Sequence, residues 1–229
     1  MRTTIAVSVL SILATGLYAA EADDVKAAAK KLADKSYSWK TTVEVPENSG
    51  FRPGPTEGQT EKDGYTKLSL SMRDNSTEAY LKGDKGAAKV EGEWQSLSDM
   101  EGDQGPGGFL GRYLRNFKAP AAQAEDIAGK TKDLKKDGDA YAGDLTEEGA
   151  KSLMLFGRRG GGGPSVSKAS GNVKFWLKDG ELTKYQYKVQ GTVNFNGDDR
   201  DVERTTTVQI KDVGNTKVEV PDEAKKKIS

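Results

Sequence analysis

NVKFWLKDGELTKYQYKVQGTVNF, residues 172–195, alternates apolar and polar side chains on both sides of a turn, and this alternation decides the fold class. Val173, Phe175 and Leu177 point one way, and Lys174, Trp176 and Lys178 the other. Lys178-Asp179-Gly180 supplies the residues that a tight hairpin needs at positive φ. On the return, Tyr185, Tyr187, Val189, Val193 and Phe195 share a face, opposite Lys184, Gln186, Lys188, Thr192 and Asn194. So long a strand must bend, and Gly191 is the place for it. Asn196-Gly197-Asp198-Asp199 predicts the next turn. Beyond it, Arg204, Thr206, Val208 and Ile210 alternate with Glu203, Thr205, Thr207 and Gln209, and a fourth strand is expected over residues 217–220, before Pro221. One apolar and one wet face make a curved antiparallel sheet with solvent on one side and core, helix or ligand on the other.

The same period of two recurs upstream. Tyr37, Trp39, Thr41, Val43 and Val45 alternate with Ser38, Lys40, Thr42 and Glu44 as far as Pro46. Residues 48–59, with their prolines and glycines, predict a loop. A strand is expected over 60–72 with Leu68, Leu70 and Met72 inward, then one carrying Thr77, Ala79 and Leu81, a turn at Gly83-Asp84-Lys85-Gly86, and a continuation through Ala88, Val90, Trp94 and Leu97. Tyr80 and Trp176 fall on wet faces, where they are candidates for a partner surface.

Between these runs the spacing becomes helical. Asp23 and Asp24 sit where acids favour a helix N-terminus, followed by Val25, Ala28, Ala29, Leu32 and Ala33. Phe109, Leu110, Tyr113, Leu114 and Phe117 form an apolar stripe after Gly102, Gly105, Gly107 and Gly108, with Arg112, Arg115 and Lys118 on the other side. Such a stripe either fills a core or covers a pocket as a lid. A second helix is expected over 121–128 after Pro120, two strands flank Asp137-Gly138-Asp139, and Thr146-Glu147-Glu148 opens a helix through Leu153, Met154, Leu155 and Phe156. Gly160 to Gly163 and Pro164 then break the chain, and the lysines at 225–227 have no place in the pattern.

Length and composition fit one domain of class α+β: 229 residues, 34% hydrophobic, 31% charged, with 27 glycines. Lys+Arg 35 balance Asp+Glu 35, so no net field draws the chain to nucleic acid. Residues 1–22 read as a secretory signal: Arg2, an apolar segment over 4–17, and Ala20-Glu21-Ala22 as the cleavage pattern. Residues 23–229 are then the single mature domain. The apolar segment is shorter than the roughly 20 residues a spanning helix needs, so an integral membrane protein is not expected. With Cys 0, neither disulfides nor lipidation of a cysteine after the signal is available, which suits the periplasm of a bacterial envelope.

His 0 and Cys 0 remove the Ser-His-Asp and Cys-His arrangements and the usual zinc sites. The acids stand in turn sequences such as Asp198-Asp199, where they serve the turn rather than a catalytic pair. Arg158 to Ser165 lacks the Gly-Lys-Ser/Thr and following helix of a phosphate loop. The segment from Asn196 to Asp201 carries Arg200 and lacks the closing glutamate of a calcium loop. No catalytic residue, metal ligand or cofactor is expected, and the protein is read as a non-enzyme.

In this order the pieces resemble the LolA-like superfamily of envelope lipid and lipoprotein carriers, including its LppX-LprG-like members. The resemblance rests on the N-terminal helix, the strand from Tyr37, the helices after residue 109, the strand-turn-strand Phe175-Trp176-Leu177-Lys178-Asp179-Gly180-Glu181-Leu182, then Val208-Gln209-Ile210-Lys211-Asp212-Val213-Gly214 and Val218-Glu219-Val220-Pro221. It implies a half-open β-barrel with covering helices around an apolar cavity. Val43, Leu68, Leu70, Phe175 and Leu177 would then belong to the cavity wall, and Phe109, Leu110, Tyr113, Leu114 and Phe117 to a lid. The implied function is a periplasmic carrier or sensor for an acyl chain or a lipidated protein. The alternative is a non-enzymatic envelope module with a filled core and a protein partner.

Overall fold

The computed structural model describes residues 13–49, 53–72, 75–102, 105–155, 165–195 and 197–228. Helix α1 (Leu13–Ala33) precedes β1 (Tyr37–Glu44), β2 (Thr56–Thr60), β3 (Thr66–Met72), β4 (Asn75–Lys82), β5 (Lys85–Val90) and β6 (Glu93–Ser96). Two helices follow, α2 (Pro106–Arg115) and α3 (Pro120–Gly129), then β7 (Thr131–Asp137), β8 (Ala140–Leu145) and α4 (Glu147–Met154). The long strands β9 (Ser165–Lys178), β10 (Glu181–Phe195) and β11 (Asp198–Lys211) come last, before α5 (Asp222–Ile228).

The strands form one antiparallel sheet in the order β6-β5-β4-β3-β2-β1-β11-β10-β9-β8-β7. Two meanders are thus joined through β1 and β11, Trp39 opposite Ile210 and Val43 opposite Thr206. The ends of the sheet, β6 and β7, do not pair with each other, so the barrel is half-open. Both edges resist further pairing: β6 has four residues, while β7 carries Lys132, Lys135 and Lys136 and is kinked at Asp133 (φ 46°).

Local chemistry explains the turns. Asp179 and Gly180 are both left-handed, at φ 54° and 74°, which matches the twist of a two-residue hairpin between β9 and β10. The register of that pair shifts between Gln190 and Thr192, so the bend falls at Gly191. A Cβ there would lie 3.0 Å from the Ser167 carbonyl oxygen and 3.1 Å from Met154 Sδ, so the glycine also admits α4 onto the sheet.

Several sequence expectations change. The span 60–72 is two strands, because Lys62-Asp63-Gly64 turns the chain, and β2 begins at Thr56 inside the expected loop. Asp23 and Asp24 lie within α1, which begins at Leu13; the leucine- and alanine-rich residues before them favour helix as well as any acid cap does. Asp198 and Asp199 are strand residues, paired with Phe195 and Asn194. Residues 217–220 form no strand: β1 is flanked on both sides, by β2 and β11, so no edge is free beside it. The Val218 N–H instead donates to the Glu61 carboxylate at 2.9 Å. The expected helix residue Phe156 and the glycines 160–163 lie outside the described residues.

The core fills the inner face. Val25, Ala28, Ala29 and Leu32 of α1 are buried, and the small side chains Ala121, Ala124 and Ala128 let α3 approach. The outer face is largely polar, with one exception. Tyr80 and Ala87 point outward, yet both are buried beneath Val218, Val220, Ala224 and Ile228, with Trp94 edging the cluster 5.6 Å from the Tyr80 ring. Helix α5 therefore gives the lysine-rich tail its role: Ala224 and Ile228 face the sheet while Lys225, Lys226 and Lys227 stay in water. Tyr80 is consequently not a free partner surface. Trp176 is half-buried on the outer face, with Lys184 Nζ 3.6 Å from its ring centroid. Ala224→Glu is expected to lift α5, cost about 3 kcal/mol and lower the thermal midpoint by about 6–12 °C, with a shift in tryptophan emission as Trp94 is uncovered.

Candidate functional site

The register of the sheet lays out the inner wall row by row. Trp39 pairs with Gly58, Gly58 with Leu68, Leu68 with Ala79, and Ala79 with Ala88. Glycine and alanine in that row leave room for one large ring: the Trp39 indole lies over Gly58, where a Cβ would come within 2.1 Å of it. The next row holds Thr41, Thr56, Leu70 and Thr77 on one side and Val208, Tyr185 and Phe175 on the other. Beyond it come Val43, Thr206, Tyr187 and Val173, then Arg204 and Val189, then Val202 opposite Gly191 and Val193 opposite Val166.

Helix α2 covers the first part of this wall. Leu110 and Leu114 are buried in the core, and Gly111 lets the helix press on Met100, where a Cβ would be 2.9 Å from that residue's Cβ. Phe117, just past the helix end, stacks on Trp39 at 6.1 Å and 16°, and Tyr113 tilts against Phe117 at 6.3 Å. Phe109 departs from the expected stripe. It is 54% exposed, because a residue adjacent to Leu110 is turned about 100° from it on a helix.

The ten residues named from the sequence therefore fall into groups. Leu68, Leu70, Leu110 and Leu114 are buried with Trp39 under α2, and Tyr113 and Phe117 are half-buried beside them. Phe175 is wholly buried against Tyr185, 6.1 Å between rings, on the part of the wall that α1 and α3 cover. Leu177 is half-buried next to it, opposite Leu182. Val43 is half-buried further along the inner wall, and Phe109 lies outside it.

Sequence reasoning missed the far end of the wall. Leu153, Val166, Val193 and Val202 pack against the core but remain partly open, so the apolar face extends past α4. Their strand parity was visible; which apolar positions a helix would leave uncovered was not.

Polar groups are set into this apolar wall. Arg204 is 5% exposed, and its Nη2 donates to the Leu153 carbonyl oxygen near the end of α4, where the helix dipole is negative. Desolvation lowers its affinity for a proton, and nearby Tyr187 partly offsets this. The Tyr185 hydroxyl donates to Gln123 of α3 at 2.6 Å, and the Tyr37 hydroxyl accepts from the Ala121 N–H at 3.2 Å. Burial pushes the phenols of Tyr37 and Tyr113 up to about 12 and that of Tyr185 well above its ordinary value.

On the outer face a polar depression of about 330 Å³ lies among Ser38, Lys40, Gln59, Lys67 and Lys211. Two of its lysines are paired, Lys40 with Glu57 at 3.1 Å and Lys67 with Glu78 at 2.8 Å. Among the described residues no group of three or more Asp, Glu, His or Cys gathers as a metal site, and no helix is long and apolar enough to cross a membrane.

No family model matches the sequence, and no curated protein matches it. Solved structures do. The lipoprotein LppX of Mycobacterium tuberculosis aligns over 90% of this chain and 99% of its own, at 13% identity and TM-score 0.50. LprF of Mycobacterium bovis aligns over 90% and 98% at 13% identity and TM-score 0.46. A LolA superfamily protein of Nitrosomonas europaea aligns over 90% and 96% at 10% identity and TM-score 0.31. The LppX likeness is one of fold: a half-open barrel with covering helices.

Proposed function

We propose that the concave face receives the acyl chain of a lipid, or the acylated end of a lipoprotein, and carries it through the periplasm after residues 1–22 have been removed as a signal. One observation carries this reading. Val43, Val166, Val193 and Val202, with Leu153 of α4, are apolar side chains left partly open on the inner wall, while the other face of the same strands is polar. Open apolar surface of this kind is what a chain of methylenes covers, at about 0.8 kcal/mol each, so eight of them contribute roughly 6 kcal/mol. The LppX-like fold supports the reading, since the half-open barrel leaves such a wall accessible between helices. Binding and release of this kind involve no bond making, and we assign no enzymatic activity.

The test is titration with N-phenyl-1-naphthylamine, an apolar fluorescent probe, alongside native mass spectrometry of the protein purified without detergent. Val43→Trp combined with Val193→Trp fills the open stretch at positions outside the sealed core. It is expected to weaken probe binding at least tenfold while leaving circular dichroism unchanged. Asp at Leu110 or Leu114 is a poor test, because both are core residues and their loss reports on folding. A wild-type protein that takes no probe and carries no lipid would favour the filled-core module with a protein partner.

A further inference from the structure

We infer that the acyl site has a polar end inside the barrel, at Tyr113, Tyr187 and Arg204, which selects chains bearing a single negative headgroup. This rests on the acyl-binding reading above. Tyr187 stands opposite Thr206, so it is a diagonal neighbour of Arg204 on the inner face, and Val43 lies on the far side of Thr206. Tyr113 comes from α2, packed on the same core beside Phe117 and Trp39, and Tyr187 opposes its ionisation. Tyr187 of β10 and Arg204 of β11, with buried Thr206 between them and Val43, thus make a polar patch in a mostly apolar wall.

Two features point to a ligand rather than to internal structure. Tyr37 and Tyr185 spend their hydroxyls on α3, but those of Tyr113 and Tyr187 have no hydrogen-bond partner among the described residues, and neither is wholly enclosed. A phenol hydroxyl is a donor, and unpaired donors beside apolar side chains suit an acceptor brought in on an apolar chain. Arg204 sets the sign. It need not release Leu153, because its charge acts through space in a medium of low dielectric and favours an anion at the hydroxyls over a neutral ester. The chemistry is therefore that of a carboxylate or a phosphate on an acyl chain, with the partly open valines continuing from it along the wall.

The probes are oleate, methyl oleate and a lysophosphatidylglycerol with the same chain, each displacing N-phenyl-1-naphthylamine. Oleate is expected to bind about tenfold more tightly than its methyl ester. Tyr187→Phe and Tyr113→Phe keep the rings and remove only the hydroxyls, and each should cut the preference of oleate over its ester by about fivefold. Tighter binding of the lysophospholipid than of oleate would identify the anion as a phosphate. Equal binding of oleate and its ester, or a preference untouched in both phenylalanine variants, overturns this inference while the acyl-carrier reading stands. Failure of the naphthylamine and of every lipid to bind the wild type overturns both.

Discussion

Gly58→Ala destabilises the protein by about 3 kcal/mol, and the same substitution costs less than 1 kcal/mol once Trp39 has been cut back to alanine. The added methyl would sit 2.1 Å from the Trp39 ring, a separation no real pair tolerates. The ring cannot swing aside. It is 3% exposed, held between Tyr37 at 5.7 Å and Phe117 at 6.1 Å, so strain passes to β2 or to the α2 end. Trp39→Ala alone leaves a cavity over Gly58 and costs about 3–5 kcal/mol. In the double variant the methyl enters that cavity. Urea unfolding of the four proteins measures the coupling; additive costs would mean that the ring does not rest on the glycine.

Alkaline pH is expected to unfold the protein in a narrow window. The phenols of Tyr37 and Tyr113 titrate at about 12 in the folded chain and at about 10 when unfolded. Burial favours the neutral form, so their stabilisation is complete below pH 10 and falls as the pH rises toward 12. Two units amount to about 2.7 kcal/mol for each phenol. Together they contribute roughly 5 kcal/mol, a large part of the stability of an ordinary domain. Tyr185 adds in the same direction. Urea midpoints at pH 8, 10 and 11.5 should fall only in the last interval, and Tyr113→Phe should make that fall shallower. A steady decline from pH 8 would assign the loss to other groups.

What the sequence disclosed was whatever depends on parity and turns. The alternation from Val173 to Phe195, the Asp179-Gly180 hairpin and the bend at Gly191 are local facts of the chain, and the sheet follows from them. What it hid depends on which element covers which. Tyr80 has the parity of an exposed residue and is buried because α5 folds over it from the far end of the chain. Val218 and Val220 alternate like a strand but have no edge to join. Likewise, parity placed Arg204 on the inner face, while only the position of α4 shows what its guanidinium meets.

The β1–β11 seam has a consequence for how the chain acquires this shape. Within each meander neighbouring strands are close in sequence, so their pairing closes short loops and is fast. At the seam, Trp39 waits for Ile210, with most of the chain between them. The two halves are therefore expected to form early and separately, each with one temporary edge, and their joining to be the slow step. A substitution at the seam, such as Val208→Ala, is therefore expected to slow folding, and one that only hastened unfolding would place the seam after the transition state.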